Sequence, residues 1–199
     1  MDKYTFFATI SRMKYIERWA LMRNSRPENL SEHAVEVAMI AHALCIIGNV
    51  RYGKHLDGEK AALIGIYHDS SEIITGDMPT PVKYYNENIR DAYKSIEHVA
   101  ERALLDRLPE DLKPAFEKIF NADENEDELY MRKLVKAADK LSALIKCIEE
   151  ENSGNKEFHT AKITILNALD ELKAKYPEVR DFMDEFISSY GNTLDELAI

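Results

Sequence analysis

His68 and Asp69 stand side by side at the end of an apolar segment, after Leu63, Ile64, Ile66 and Tyr67, in the stretch GIYHDSSEIITGDMPTPVKY that runs from Gly65 to Tyr84. A carboxylate taken out of water is costly unless a partner or a cation compensates it, so a doublet in a segment that reads as buried calls for a compensating group. Glu72 follows Asp69 by three positions and His68 by four. On a helix that spacing sets all three on neighbouring faces of one wall, as a pair of metal ligands with an acid or base beside them. A divalent ion takes more than two ligands, and other segments must supply them. His33, in SEHAVEVA at the start of an apolar helix, and Asp139, in VKAADKLSAL among Ala137, Ala138, Leu141 and Leu144, are each a polar residue at a core position. Taken singly, His33 reads as a histidine bonding a backbone group near a helix start. Asp139 alone reads equally as a helix residue paired with Lys136 or Lys140.

The elements that must hold these residues are helices. Apolar residues recur at helical spacing, as in Phe6, Phe7, Ile10 and Met13 and in Val35, Val37, Ile40, Ala41, Leu44 and Ile47, and period-two alternation is absent. The fold class expected is therefore all-α. A first helix should end near Arg18 and Trp19, where a cation suits the C-terminal dipole. RNSRPENL then breaks the pattern, with Ser31 as N-cap of the next helix and Glu32 in its first turn. The loop GNVRYGKHLDG precedes a helix carrying Ala61 to Thr75, which Gly76 ends, leaving Asp77 in a loop. Pro81 can occupy a first helical turn, and further helices are expected over 87–107, 110–120, 124–152, 156–175 and 178–189. The acidic run Asp123 to Glu128 reads as a solvated helix start favoured by the N-terminal dipole.

With 199 residues, 45% of them apolar, the chain can bury one substantial core, and a single domain over 1–199 is expected. The balance of 26 Lys and Arg against 36 Asp and Glu gives a net charge of -10, the wrong sign for a protein that binds nucleic-acid polymers. Any phosphate ligand must be drawn in locally. No signal-like segment and no run of about 18 apolar residues is present, so neither a membrane span nor export is expected. Cys45 and Cys147 lie in apolar helical patterns and read as reduced core thiols. His42, His55, His98 and His159 read as core or surface histidines, and Lys83 as a solvated lysine beside Tyr84.

His33, the His68-Asp69 doublet and Asp139 reproduce the H…HD…D signature of the HD-domain metal-dependent phosphohydrolases, in order and spacing. RWALMRNSRPENLSEH, YHDSSEIITGDMPTPVKY and KAADKLSALIKCIEE resemble the YfbR-like branch, the bacterial 5'-deoxynucleotidases, and the likeness runs over nearly the whole chain. An HD doublet alone is weak; four ligands in order within three matching blocks is specific. The resemblance implies an HD helical bundle in which His33, His68, Asp69 and Asp139 hold one divalent ion. Two imidazoles and two carboxylates suit Co, Mn, Zn or Fe better than a soft metal. It further implies that Arg18 orients the substrate phosphate, Trp19 packs beside sugar and base, and Glu72 moves a proton. The loop Asp77, Met78, Pro79 and Thr80 would line the sugar, with Asp77 accepting from the 3'-hydroxyl. The implied reaction is hydrolysis of a deoxyribonucleoside 5'-monophosphate by a cytoplasmic homodimer. The rival readings are another HD hydrolase, acting on an alarmone or a cyclic nucleotide, and a non-catalytic nucleotide sensor. An alarmone hydrolase would typically carry HDxxED, and here Ile73 follows Glu72.

Overall fold

The computed structural model describes residues 4–83 and 85–197, the side chain of Thr80 excepted. Its elements in chain order are α1 (Phe6–Ile10), a 3-10 turn (Ser11–Tyr15), β1 (Glu17–Arg18), β2 (Glu28–Asn29), α2 (Leu30–Tyr52), α3 (Gly58–Tyr67), α4 (Glu72–Thr75), α5 (Thr80–Lys83), α6 (Glu87–Leu105), α7 (Lys113–Phe120) and α8 (Glu126–Asn152). A 3-10 turn (Lys156–Phe158), α9 (His159–Lys175), α10 (Pro177–Glu185) and a last 3-10 turn (Ile187–Ser189) complete it. The all-helical expectation holds, apart from the two-residue β1–β2 ladder.

α2 and α8 are the axes of the bundle. Val37, Ala41 and Leu44 of α2 meet Leu134, Ala138, Leu141 and Leu144 of α8, with Leu169, Val179 and Phe182 closing the same core. By length and a mean hydropathy of 1.5, Leu30–Tyr52 is apolar enough to cross a membrane, but 56% of that window is buried inside the bundle. It is a core helix. Cys45 and Cys147 are buried and unpaired, as expected.

The start of α2 corrects one expectation. Its N-cap is Asn29, whose side chain accepts from the Ser31 and Glu32 amides at 3.0 and 3.1 Å while Glu32 accepts from the Asn29 amide at 3.2 Å. This reciprocal capping box satisfies more orphan amides than Ser31 could as the cap. Arg18 and Trp19 do not end a helix either. Arg18 pairs antiparallel with Glu28, the turn between them folding RNSRPEN back on itself, and Trp19 has φ 57, the one positive-φ non-glycine residue among those described.

The helix expected from Ala61 to Thr75 is interrupted. α3 stops at Tyr67, and the amides of Ser70, Glu72, Ile73 and Ile74 each reach back only three residues, to Tyr67, Asp69, Ser70 and Ser71. Asp and Ser are poor helix formers, and the three-residue bonding makes this stretch a tighter, 3-10-like turn. His68 and Asp69 still reach one point, with Asp69 Oδ2 3.0 Å from His68 Nε2. Gly65 sets the depth, because a Cβ there would lie 2.8 Å from the Ala38 Cα, so α2 and α3 touch backbone to backbone. His33 and His68 thereby face each other with ring centroids 5.2 Å apart.

Candidate metal and phosphate site

His33 and His68 project from α2 and the end of α3, Asp69 from the tight turn and Asp139 from the middle of α8. Ligand atoms of His33, His68 and Asp139 all lie within 4.8 Å of one another. Asp69 joins them: its Oδ2 is 3.0 Å from His68 Nε2 and 3.5 Å from His33 Nε2, while Asp139 Oδ1 is 3.2 Å from His33 Nε2. The four residues singled out in the sequence are thus brought to one point, and Asp139 turns to the histidines rather than to Lys136 or Lys140.

The other ring nitrogens are already committed. His68 Nδ1 lies 2.8 Å from the Gly65 carbonyl, which only accepts, and His33 Nδ1 lies 3.0 Å from Ser142 Oγ. Both Nε2 atoms are buried and make no hydrogen bond, although carboxylate oxygens stand close by. Close approach without hydrogen-bond alignment is what donor atoms aimed at a shared third party look like, and the donor set fits a divalent cation.

Electrostatics agree. Burial would push the Asp69 carboxyl up, but the His68 and His33 imidazoles outweigh it and hold Asp69 well below the ordinary carboxylate range. Asp139 is likewise lowered, against desolvation, to about 2 by the close approach of His33 Nε2 and by the two imidazoles. For His68, desolvation lowers the pKa, yet Asp69, Asp139 and the Gly65 carbonyl carry it to about 9. The carboxylates and the imidazoles thus stabilise one another's charged forms at this spot.

Glu72 opens α4 and is 5% exposed, with Oε2 buried and unpartnered. Burial, then Asp69 and Asp77, push its carboxyl up to about 9 against the pull of Lys83 and Arg18. Arg18 donates to Glu28 Oε1 at 2.8 Å, and its guanidinium lies 5.8 Å from the Trp19 ring centroid. Despite desolvation its pKa is raised, by Glu28 first and by Asp139, Asp69 and Asp77. Trp19 packs edge-on against Phe158 at 5.4 Å, and its buried indole Nε1 has no partner. Its amide donates to Asp77 Oδ2 at 3.2 Å, which joins the Arg18-Trp19 hairpin to the loop after Gly76. In that loop Met78 is half-buried and Pro79 exposed; the side chain of Thr80 lies outside the described residues.

Lys83 departs from expectation. Rather than standing in solvent it donates to Glu97 at 2.7 Å and sits 4.4 Å from the Tyr93 ring centroid, packed beneath the site; Tyr84 lies outside the described residues. Sequence reading also passed over Glu28, which touches Arg18 and His33, Ser142, which touches His33, and Glu36, which touches Ser142. Only contact between distant elements identifies them, although a serine between Leu141 and Leu144 in a buried helix is a faint signal.

Comparison with known proteins points the same way. The family model described as 5'-deoxynucleotidase YfbR-like matches residues 5–190. A 5'-deoxynucleotidase of Erwinia tasmaniensis is 46% identical over 193 residues, covering 97% of this chain and 96% of that protein. The 5'-deoxynucleotidase YfbR of Escherichia coli is 44% identical over 198 residues, covering 100% and 98%. Among solved structures, an HD-domain phosphohydrolase from Listeria innocua shares the fold with a TM-score of 0.77 at 22% identity, over 98% of this chain and 89% of that one. A cyanophage S-2L HD phosphohydrolase bound to dA and one catalytic Zn2+ ion has a TM-score of 0.65 at 18% identity, over 92% and 95%.

Proposed function

This chain belongs to the YfbR-like 5'-deoxynucleotidase family, and on that premise we infer how its residues divide the labour of the reaction. The reaction is metal-dependent hydrolysis of a deoxyribonucleoside 5'-monophosphate to deoxynucleoside and phosphate. The observation that carries the assignment is the convergence of two unbonded imidazole Nε2 atoms and two carboxylates beside a buried arginine and a buried, proton-holding glutamate.

His33, His68, Asp69 and Asp139 are the proposed ligands of one divalent ion, of the Co, Mn, Zn or Fe class by donor type. When bound, such an ion supplies a Lewis acid that polarises a phosphoryl oxygen and acidifies water. Arg18 forks two donors onto the phosphate and offsets the charge that gathers there, a role Glu28 supports by fixing the guanidinium plane. Glu72 delivers its proton to the departing 5'-oxygen. Trp19 supplies a face for sugar and base that tolerates any base. Asp77, steadied by the Trp19 amide, accepts from the 3'-hydroxyl, and Met78, Pro79 and Thr80 close against the 2'-carbon.

Phosphate release from a panel of mononucleotides tests this reading. We expect turnover of deoxynucleoside 5'-monophosphates, little of ribonucleoside 5'- or deoxynucleoside 3'-monophosphates, and loss of activity on chelation that added divalent metal restores. Turnover indifferent to chelator would remove the metal from the scheme, and equal turnover of ribonucleotides would remove the deoxyribose preference.

A cytoplasmic homodimer is the assembly we propose. Val35, Met39 and Ile46 recur along one face of α2 and, with Leu63 and Ile66 of α3, are exposed large apolar side chains, and Val35, Met39 and Ile66 line a groove of ≈ 390 Å³ between the two helices. A surface of this kind suits a self-complementary contact. Light scattering should give twice the chain's mass for wild type and the monomer mass for Met39→Asp; a monomeric wild type would end the proposal.

A further inference from the structure

We propose that Ser142 and Glu36 are positioning residues that fix the tautomer of His33, holding its ring proton on Nδ1 so that the Nε2 lone pair faces the ligand cluster. The inference rests on the reading of His33 as a ligand. It comes from a chain of three side chains that ties α2 to α8 at the level of the site. His33 and Glu36 lie three residues apart on α2, and Asp139 and Ser142 lie three apart on α8, so each helix presents one ligand and one supporting group on the same face.

The direction of the hydrogen bonds follows from proton counting. Ser142 is fully buried and has a single hydroxyl proton. Its Oγ lies 2.5 Å from Glu36 Oε2, a carboxylate oxygen that accepts, so the proton points to Glu36. The hydroxyl oxygen then has only lone pairs to offer His33 Nδ1 at 3.0 Å, and the imidazole must donate. With Glu36 ionised, as in alkaline solution, the opposite tautomer would turn the serine proton toward Nδ1 and leave two oxygens facing each other across 2.5 Å without a proton between them. Glu28 does not take over the role, because its Oε1 is 3.7 Å from Nδ1 and is engaged by Arg18 at 2.8 Å. Between Leu141 and Leu144 the fully buried hydroxyl meets two polar partners, His33 and Glu36. His68 reaches the same tautomer by a separate route, through the Gly65 carbonyl.

The test reads the tautomer directly. Long-range 1H–15N correlation spectra of the metal-free, 15N-labelled chain, at about pH 8.5 where an ordinary imidazole is neutral and His68, carried to about 9, is still largely the cation, should show His33 protonated on Nδ1. In Ser142→Ala we expect His33 to become a tautomer mixture while His68 keeps its signature, and the metal dissociation constant to rise roughly 10- to 100-fold, the usual effect of losing an outer-shell partner. Glu36→Ala should move both readouts the same way, and Glu36→Gln, whose amide oxygen still accepts from Ser142, should restore them. The two Glu36 variants carry the test if Ser142→Ala does not fold. An unchanged His33 signature in both Ser142→Ala and Glu36→Ala, or metal affinity within about twofold of wild type, overturns the proposal. A wild-type chain whose His33 Nε2 resonance ignores added metal would instead overturn the ligand set, and the metal-free spectra would still decide the hydrogen-bond chain.

Discussion

Glu72→Gln is expected to lower kcat for a deoxynucleoside 5'-monophosphate by about 10²- to 10⁴-fold, the range for losing a positioned acid or base, while metal affinity stays near wild type. The amide keeps the volume of Glu72 and cannot give up or take a proton at these pH values. What favours an acid over a base is the environment: the carboxyl is 5% exposed and is pushed up to about 9 by burial first, then by Asp69 and Asp77. A group in that state holds its proton at neutral pH, and a 5'-alkoxide is a poor leaving group in need of one. Activity that needs the protonated form is present below this pKa and lost as pH rises through it. Wild-type kcat should therefore carry an alkaline limb that Glu72→Gln lacks. A phosphate ester of an acidic phenol separates the roles, because its leaving group departs without a proton. With that substrate the loss in Glu72→Gln should shrink to within about tenfold. An undiminished loss would make Glu72 the base that activates water.

What the sequence disclosed and what it hid divide along physical lines. His68 and Asp69 were legible as a polar doublet in an apolar segment, and the helices from the apolar periodicity, whereas His33 and Asp139, bland when taken singly, became ligands only through the resemblance to the HD-domain phosphohydrolases. The break at His68–Ser71 was not legible, because a helical apolar pattern continues through Ile73 and Ile74 and the change to three-residue bonding leaves no mark on that periodicity. The Arg18–Glu28 ladder was hidden for another reason. Two residues are too few to show alternation, and the pairing depends on a turn whose closure brings together positions ten apart. Lys83 looked solvated because nothing local reveals that Glu97 and Tyr93, a helix away, will enclose it. The second layer, Ser142, Glu36 and Glu28, is built wholly from contacts between elements.

Arg18→Ala is expected to cost about 10²- to 10³-fold in kcat/KM, in the range for removing a donor that meets charge developing in the transition state. Arg18→Lys should recover little of it. Lysine keeps the charge but offers a flexible point donor in place of a planar fork that can hold Glu28 on one edge and phosphate oxygens on the other. Arg18 and Glu28 are 11% and 14% exposed at the side chain, so the pair has a structural claim as well. Breaking a buried ion pair on one side costs about 3–5 kcal/mol because the other charge is left unpaired, and Glu28 Oε2 already lacks a partner. Arg18→Ala alone would therefore mix lost catalysis with lost stability. The double variant Arg18→Ala/Glu28→Gln separates them: removing the stranded carboxylate should return the melting temperature toward wild type while kcat/KM stays at the level of Arg18→Ala. If activity returned together with stability, Arg18 would be a strut for the β1–β2 ladder, and the phosphate would have to be met by another donor.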